Sequence, residues 1–197
     1  SGFKTETIAE GINAGTALTA TSDGRIYYAE QTGHIRIVEN GVVLEAPLLD
    51  LSARVNTHWE RGLVGLQFDP QYPKEPYLFV VYIANDPYVH HVISRFTIVD
   101  GVADVSSEKI LLEGDDQSTL GGSQAGAHQG GPIRFGPDGM LYISIGEQTE
   151  DLASQSLDTL QGKILRLNRD GSIPRDNPFY SKTSGKYRYI YAIGIRN

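Results

Sequence analysis

Three stretches of this 197-residue chain repeat one pattern, and a repeat constrains the fold more tightly than any single motif. Gly33-His-Ile-Arg-Ile-Val-Glu-Asn-Gly41 is followed by Val42 and Val43. His91-Val-Ile-Ser-Arg-Phe-Thr-Ile-Val-Asp-Gly101 is followed by Val102, and Gly162-Lys-Ile-Leu-Arg-Leu-Asn-Arg-Asp-Gly171 by Ser172 and Ile173. Each alternates apolar and polar residues, carries an arginine (Arg36, Arg95, Arg166) and closes on Asn-Gly or Asp-Gly. Alternation marks a strand, and the closing dipeptide accepts the positive φ angles of a tight hairpin turn. Because the arginines recur in every copy, they read as scaffold.

A second element lies upstream of each copy. Ser22-Asp-Gly-Arg-Ile-Tyr-Tyr28 resembles Pro137-Asp-Gly-Met-Leu-Tyr-Ile143, and the middle equivalent is Leu66 to Pro70 followed by Tyr77 to Tyr82. The closing glycines at 41, 101 and 171 are 60 and 70 residues apart (101−41, 171−101). Four short strands per unit with turns between them describe an all-β chain of about three β-propeller blades with long loops. Twenty-two glycines and eleven tyrosines agree with that class. The segment Asp151–Leu160 reads as a polar loop with one turn; 70–76 and 113–127 read as loops, the second leading into His128.

Three blades do not close a ring, which takes about four to eight. The expectation is therefore one partial propeller domain over residues 1–197, the N-terminal half of a longer protein, completed by more chain or by another copy. A half ring exposes sheet faces and edges, so the isolated piece is expected to associate or to be partly disordered. A formal net charge of −7 argues against nucleic acid or an anionic membrane as partner. No apolar run approaches the length of a membrane span and no signal peptide is read. Zero cysteines exclude disulfides and thiolate metal sites.

The residues 127–148 hold the most chemistry. Ile133 and Phe135 alternate with Arg134, Gly136-Pro-Asp-Gly139 forms a turn, and Leu141, Ile143 and Ile145 alternate with Tyr142 and Ser144. A hairpin returns the chain to where it started, so His128 and Glu147 are expected at one end of a sheet, facing one molecule. The pair His90-His91 points to opposite faces of a strand, which argues against a metal site. His34 and His58 have no constellation near them, and Asp115-Asp116 reads as a solvated loop rather than a weak calcium site.

Four blocks carry a resemblance to a known family. They are Glu60-Arg-Gly-Leu-Val-Gly-Leu-Gln-Phe-Asp-Pro-Gln-Tyr72, then His128-Gln-Gly-Gly-Pro-Ile-Arg-Phe-Gly-Pro-Asp-Gly-Met-Leu-Tyr142 with Gly146-Glu147. Gly162 to Pro178 and Tyr191-Ala-Ile-Gly-Ile-Arg-Asn197 complete the set. In order and spacing they resemble the soluble glucose dehydrogenases and aldose sugar (glucose/sorbosone) dehydrogenases that depend on pyrroloquinoline quinone (PQQ).

The resemblance implies a six-bladed propeller with PQQ and calcium over the ring, oxidising an aldose at C1 to its lactone in the periplasm or outside the cell. It implies His128 as general base and Arg196 as the cation beside the accepting carbonyl, with Asn197 next to it. Glu60 and Glu147 fall among the groups around cofactor and substrate. Calcium ligands and the cations for the quinone's carboxylates are implied beyond residue 197, so no metal ligand is expected here. The role types are physically sound: an imidazole suits base work near neutrality, and a cation stabilises an oxygen that gains charge. Two departures stand out. Position 147 is glutamate where aspartate is usual, and Ala127 replaces an aspartate before the histidine, so an orienting partner for His128 is expected to be missing. The other readings are a non-catalytic binding propeller, as in an animal protein that binds a hedgehog signal, and a calcium-dependent lactonase-type propeller.

Overall fold

A computed structural model describes residues 2–119 and 126–197. Among the described residues thirteen strands fall into three antiparallel meanders. The first holds β1 (Gly15–Ala20), β2 (Ile26–Glu30), β3 (His34–Glu39) and β4 (Val42–Val43), with β5 (Leu49–Asp50) also pairing β3. The second holds β6 (Leu63–Phe68), β7 (Tyr77–Ala84), β8 (His90–Val99) and β9 (Val102–Glu113). The third holds β10 (Gly130–Phe135), β11 (Leu141–Ile145), β12 (Lys163–Leu167) and β13 (Ile190–Ile193). These are three propeller blades of an all-β fold. Among the described residues no helix is long and apolar enough to cross a membrane.

The stacking of blades explains the burial pattern. β7 is one apolar run, Tyr-Leu-Phe-Val-Val-Tyr-Ile-Ala, because both of its faces are covered. Leu78, Val80 and Tyr82 enter the core shared with the first blade, beside Tyr27, Ile35 and Phe68. Phe79, Val81 and Ile83 point the other way, into the core shared with the third blade, beside Ile133, Ile143 and Leu165. Each fully buried side chain of this size contributes about 1.5–3 kcal/mol as an upper figure. β11 alternates instead: Leu141, Ile143 and Ile145 are buried while Tyr142 and Ser144 are half-exposed.

The first strands of neighbouring blades approach closely at two glycines. A Cβ on Gly65 would lie 2.2 Å from the Gly131 carbonyl oxygen, and one on Gly131 (φ +115°) would lie 2.4 Å from Val64. The Gly-Gly-Pro of β10 also shifts its register with β11 between Gly130 and Ile133. Pro132 has no N–H to offer a ladder, so a bulge is the natural place for it.

The repeated strands are the third of each blade, β3, β8 and β12. In the first two copies the closing dipeptide forms the expected two-residue turn, with φ +51° and +80° at Asn40-Gly41 and +50° and +80° at Asp100-Gly101. The third copy differs. Asp170-Gly171 closes a local turn in which Asn168 N–H donates to Ser172 O at 2.9 Å, and the chain then runs on to Ile190 before pairing. Pro174 and Pro178 cannot donate to a ladder, and Ile173, Phe179 and Tyr187 pack on the core between the second and third blades. The repeated arginines are internal struts: Arg36 donates to Glu30 and Glu45, and Arg95 covers the Tyr77 ring. Arg166 binds Asp138, Asp176 and Asn177.

The segment 151–160 does contain a single 3-10 turn, at Asp151–Gln155. Part of the 113–127 loop, residues 120–125, lies outside the described residues. Asp115 is not solvated as expected. It pairs with Lys186 Nζ at 2.7 Å and accepts the Leu160 N–H at 2.7 Å, tying this loop to the third blade.

Candidate functional site

In an antiparallel meander the connections alternate between the two ends of the sheet. The tight turns after β1, β3, β8 and β10 therefore occupy one end. The opposite end collects residues 51–62 ahead of β6, 114–129 ahead of β10, 146–162 after β11, and 194–197 after β13. Glu60, His128, Glu147, Arg196 and Asn197 all belong to that second set, so one rim carries every candidate.

The hairpin brings His128 and Glu147 into contact. His128 Nδ1 is 2.5 Å from Glu147 Oε1, the histidine side chain 17% exposed and the glutamate 4%. An ionised carboxylate only accepts, so Nδ1 carries the shared proton and Nε2 of the neutral ring keeps its lone pair. Nε2 has no partner among the described residues. Glu147 Oε1 also accepts the Thr149 N–H at 3.1 Å, whereas Oε2 is buried without a hydrogen-bond partner.

Backbone contacts hold this pair from three sides. Glu60 Oε2 accepts the His128 N–H at 2.7 Å, and Glu60 N–H donates to Gly126 O. Asn197 Oδ1 accepts the Gly130 N–H at 3.0 Å, and Arg196 O accepts the Glu147 N–H at 3.0 Å. Gly146 has to be glycine, because a Cβ there would sit 1.8 Å from His128 O and 3.1 Å from Arg196 O. Trp59, His128, Gln148 and Thr149 adopt positive φ (+58°, +49°, +57° and +67°), a conformation that costs a side-chain-bearing residue about 1–2 kcal/mol. Such strain gathers where surrounding structure enforces a geometry.

One expectation is corrected here. With Ala127 in place of an aspartate, His128 was expected to lack an orienting partner. Glu147 supplies it. The methylene that separates glutamate from aspartate carries the carboxylate to Nδ1.

Arg196 is exposed and forms no ion pair among the described residues; its side chain projects from the same short segment whose backbone clamps Glu147. Asn197 uses its carbonyl on Gly130 and leaves its amide nitrogen for a ligand. A cleft of about 650 Å³ opens beside them, lined by Gln31, Trp59, Glu60, Gln129, Arg134 and Asn197. Trp59 is 57% exposed, and its carbonyl is held by the Gln31 amide. Gln31, Trp59 and Gln129 escaped the sequence reading; for Trp59 and Gln129 the signal available was their position next to Glu60 and His128, and for Gln31 there was none.

A guanidinium, an amide nitrogen, an imidazole lone pair and a buried carboxylate oxygen without a partner fit a carbonyl acceptor and a hydroxylated ligand. Among the described residues no group of three or more His, Cys, Asp or Glu converges as a metal site.

The profile of the Glucose / Sorbosone dehydrogenase family matches residues 12–197. The chain belongs to that family. It is 28% identical to quinoprotein glucose dehydrogenase B of Acinetobacter calcoaceticus, over 99% of this chain and 45% of that protein. It is 30% identical to aldose sugar dehydrogenase YliI of Escherichia coli K12, over 84% of this chain and 43% of that one. Among solved structures, the PQQ-bound aldose sugar dehydrogenase of Streptomyces coelicolor superposes with a TM-score of 0.81 at 25% identity, covering 98% of this chain and 54% of the other. This member of the family therefore spans about half the length of the relatives it matches.

Proposed function

We propose that this chain is the N-terminal half of a six-bladed quinoprotein sugar dehydrogenase, acting on an aldose at C1. The observation that carries the reading is the His128–Glu147 pair, with Nε2 free, on the same rim as Arg196 and Asn197. In this reading the anomeric hydroxyl gives its proton to His128 Nε2 as the hydride on C1 leaves, and the sugar becomes the lactone. When bound, PQQ supplies the two-electron acceptor for that hydride. Glu147 keeps Nδ1 protonated and stabilises the imidazolium that forms, as a carboxylate does behind any histidine base. Glu147 Oε2 is buried without a hydrogen-bond partner, which leaves the carboxylate's charge directed at the imidazole. Arg196 would stabilise the negative charge on an accepting quinone carbonyl, and Asn197 Nδ2 would donate to the same group.

The calcium ligands are proposed to lie beyond this chain. A periplasmic or secreted location belongs to the same proposal. So does completion of the ring by further blades; residues 1–197 alone should self-associate in size-exclusion chromatography, and a monodisperse monomer would contradict that.

The test is reconstitution of the full-length protein with PQQ, followed by dye reduction with a panel of aldoses. Quinone binding with sugar-dependent reduction supports the proposal, and His128→Ala should abolish turnover while leaving the quinone bound. Absence of quinone binding would overturn it, and lactone hydrolysis without quinone would favour a hydrolase of the same fold.

A further inference from the structure

His91 lies on β8 inside the second blade, 1% exposed, and the proposed chemistry makes no use of it. Both of its ring nitrogens are engaged. Nδ1 is 3.1 Å from the Gln117 amide nitrogen, which only donates, so Nδ1 accepts and Nε2 carries the proton. That proton goes to the Gln129 carbonyl oxygen at 2.9 Å. The Gln117 amide nitrogen also donates to Gln129 Oε1 at 3.0 Å, while Gln117 Oε1 accepts from Arg61 Nε at 3.1 Å. Four buried polar side chains from separate segments thus close on one another, and such networks rigidify what they touch when their members are satisfied.

What they touch is the residue next to His128. The Gln129 carbonyl is gripped from two blades: by His91 from the second, and by the Gly146 N–H at 3.2 Å from the third. Gly146 is the residue before Glu147, and its α-carbon packs so tightly on the His128 carbonyl that no Cβ fits between them. The grip on that carbonyl fixes the 129–130 peptide, so its loss would let the backbone that carries His128 shift relative to Glu147. On the other side of His128, the Glu60 carboxylate holds its N–H, and Arg61 joins that segment to the same network. Burial pushes the His91 imidazole down to about 4, so at neutral pH it stays uncharged and keeps its one-donor, one-acceptor pattern.

We infer that His91 is a positioning residue: through Gln117 and the Gln129 carbonyl it sets His128 against Glu147. The inference rests on the proposed base role of His128. Outer-shell partners of this kind change activity by about ten- to a hundredfold, because small displacements of a reacting group are costly.

The experiment is done in the full-length protein, with thermal unfolding recorded for each variant. His91→Leu removes both hydrogen bonds; kcat should fall about ten- to a hundredfold with KM within about twofold. His91→Gln can donate to Gln129 O and accept from Gln117, and should recover most of the lost kcat. A third variant, Gln117→Met, should show a smaller loss of the same kind and serves if His91→Leu does not fold. Independently of activity, the imidazole 15N spectrum of His128 should report protonated Nδ1 in the wild type and a mixture of tautomers in His91→Leu or Gln117→Met. An unchanged kcat and an unchanged His128 spectrum in those variants, or equal impairment of His91→Gln and His91→Leu, would overturn the inference. Full activity in His128→Ala would instead overturn the proposed base role, leaving the spectroscopic result to judge the positioning by itself.

Discussion

Replacing Gly146 with alanine is the most demanding test of how the rim is built. The added Cβ would stand 1.8 Å from the His128 carbonyl oxygen and 2.6 Å from its carbon, both backbone atoms. Ordinary contact begins at 3.4 Å, so the two segments must separate by about 1.6 Å. One backbone hydrogen bond crosses that gap, Gly146 N–H to Gln129 O at 3.2 Å. Its loss costs about 1 kcal/mol net, and the forced overpacking about 1–3 kcal/mol more. The same displacement carries His128 away from Glu147 Oε1, now 2.5 Å distant, and a base misplaced by more than about 1 Å loses on the order of a hundredfold in turnover. Urea titration of the full-length protein should show a lower midpoint at unchanged m-value, with kcat reduced accordingly. A midpoint and a turnover both equal to wild type would refute the argument that the close approach of these two strands sets the site.

Three further outcomes are expected. Glu147→Asp withdraws the carboxylate by about 1.5 Å, one C–C bond, breaking a charge-assisted contact of about 1.5–3 kcal/mol; kcat should fall by about ten- to a hundredfold in dye-reduction assays. Burial depresses His91, helped by Arg61 and His90 and opposed by the Gln129 carbonyl and Asp115, from the ordinary 6.5 to about 4. The unfolded chain then binds this proton more readily than the folded one. Stability should be full above about pH 6.5 and decline as pH falls toward about 4, and His91→Gln should remove that part of the decline in urea unfolding across pH. Trp59, the single tryptophan of this chain and 57% exposed beside the cleft, should shift or lose emission when quinone or sugar binds, and Trp59→Phe should delete that component of the change.

Much of this was legible in the sequence, for local reasons. The turn after Phe135 and the alternation on either side of it are short-range signals, and the observed register pairs Phe135 with Leu141 and Ile133 with Ile143. The return of a hairpin then brings residues 128 and 147 together. The third copy of the repeat misled, because Asp170-Gly171 has the same two letters as Asp100-Gly101. What differs is the downstream chain, where prolines and core-seeking aromatics draw the segment across the blades. The role of Glu147 as partner of Nδ1 was hidden as well. Reading it needs the depth at which Gly146 sits under the His128 carbonyl, which is a matter of backbone packing. His91, Gln117 and Gln129 are 12 to 38 residues apart, and no periodicity announces that they meet.

The left-handed residues of the rim bear on how this protein can evolve. At 59, 128, 148 and 149 the chain keeps side chains where glycine would sit with less backbone strain. Laboratory selection for heat resistance alone should let Gln148 and Thr149 drift to glycine, whereas selection for turnover should retain them. The two regimes would pull the same few codons in opposite directions, and sequencing the survivors would show which side chains the rim keeps for its work.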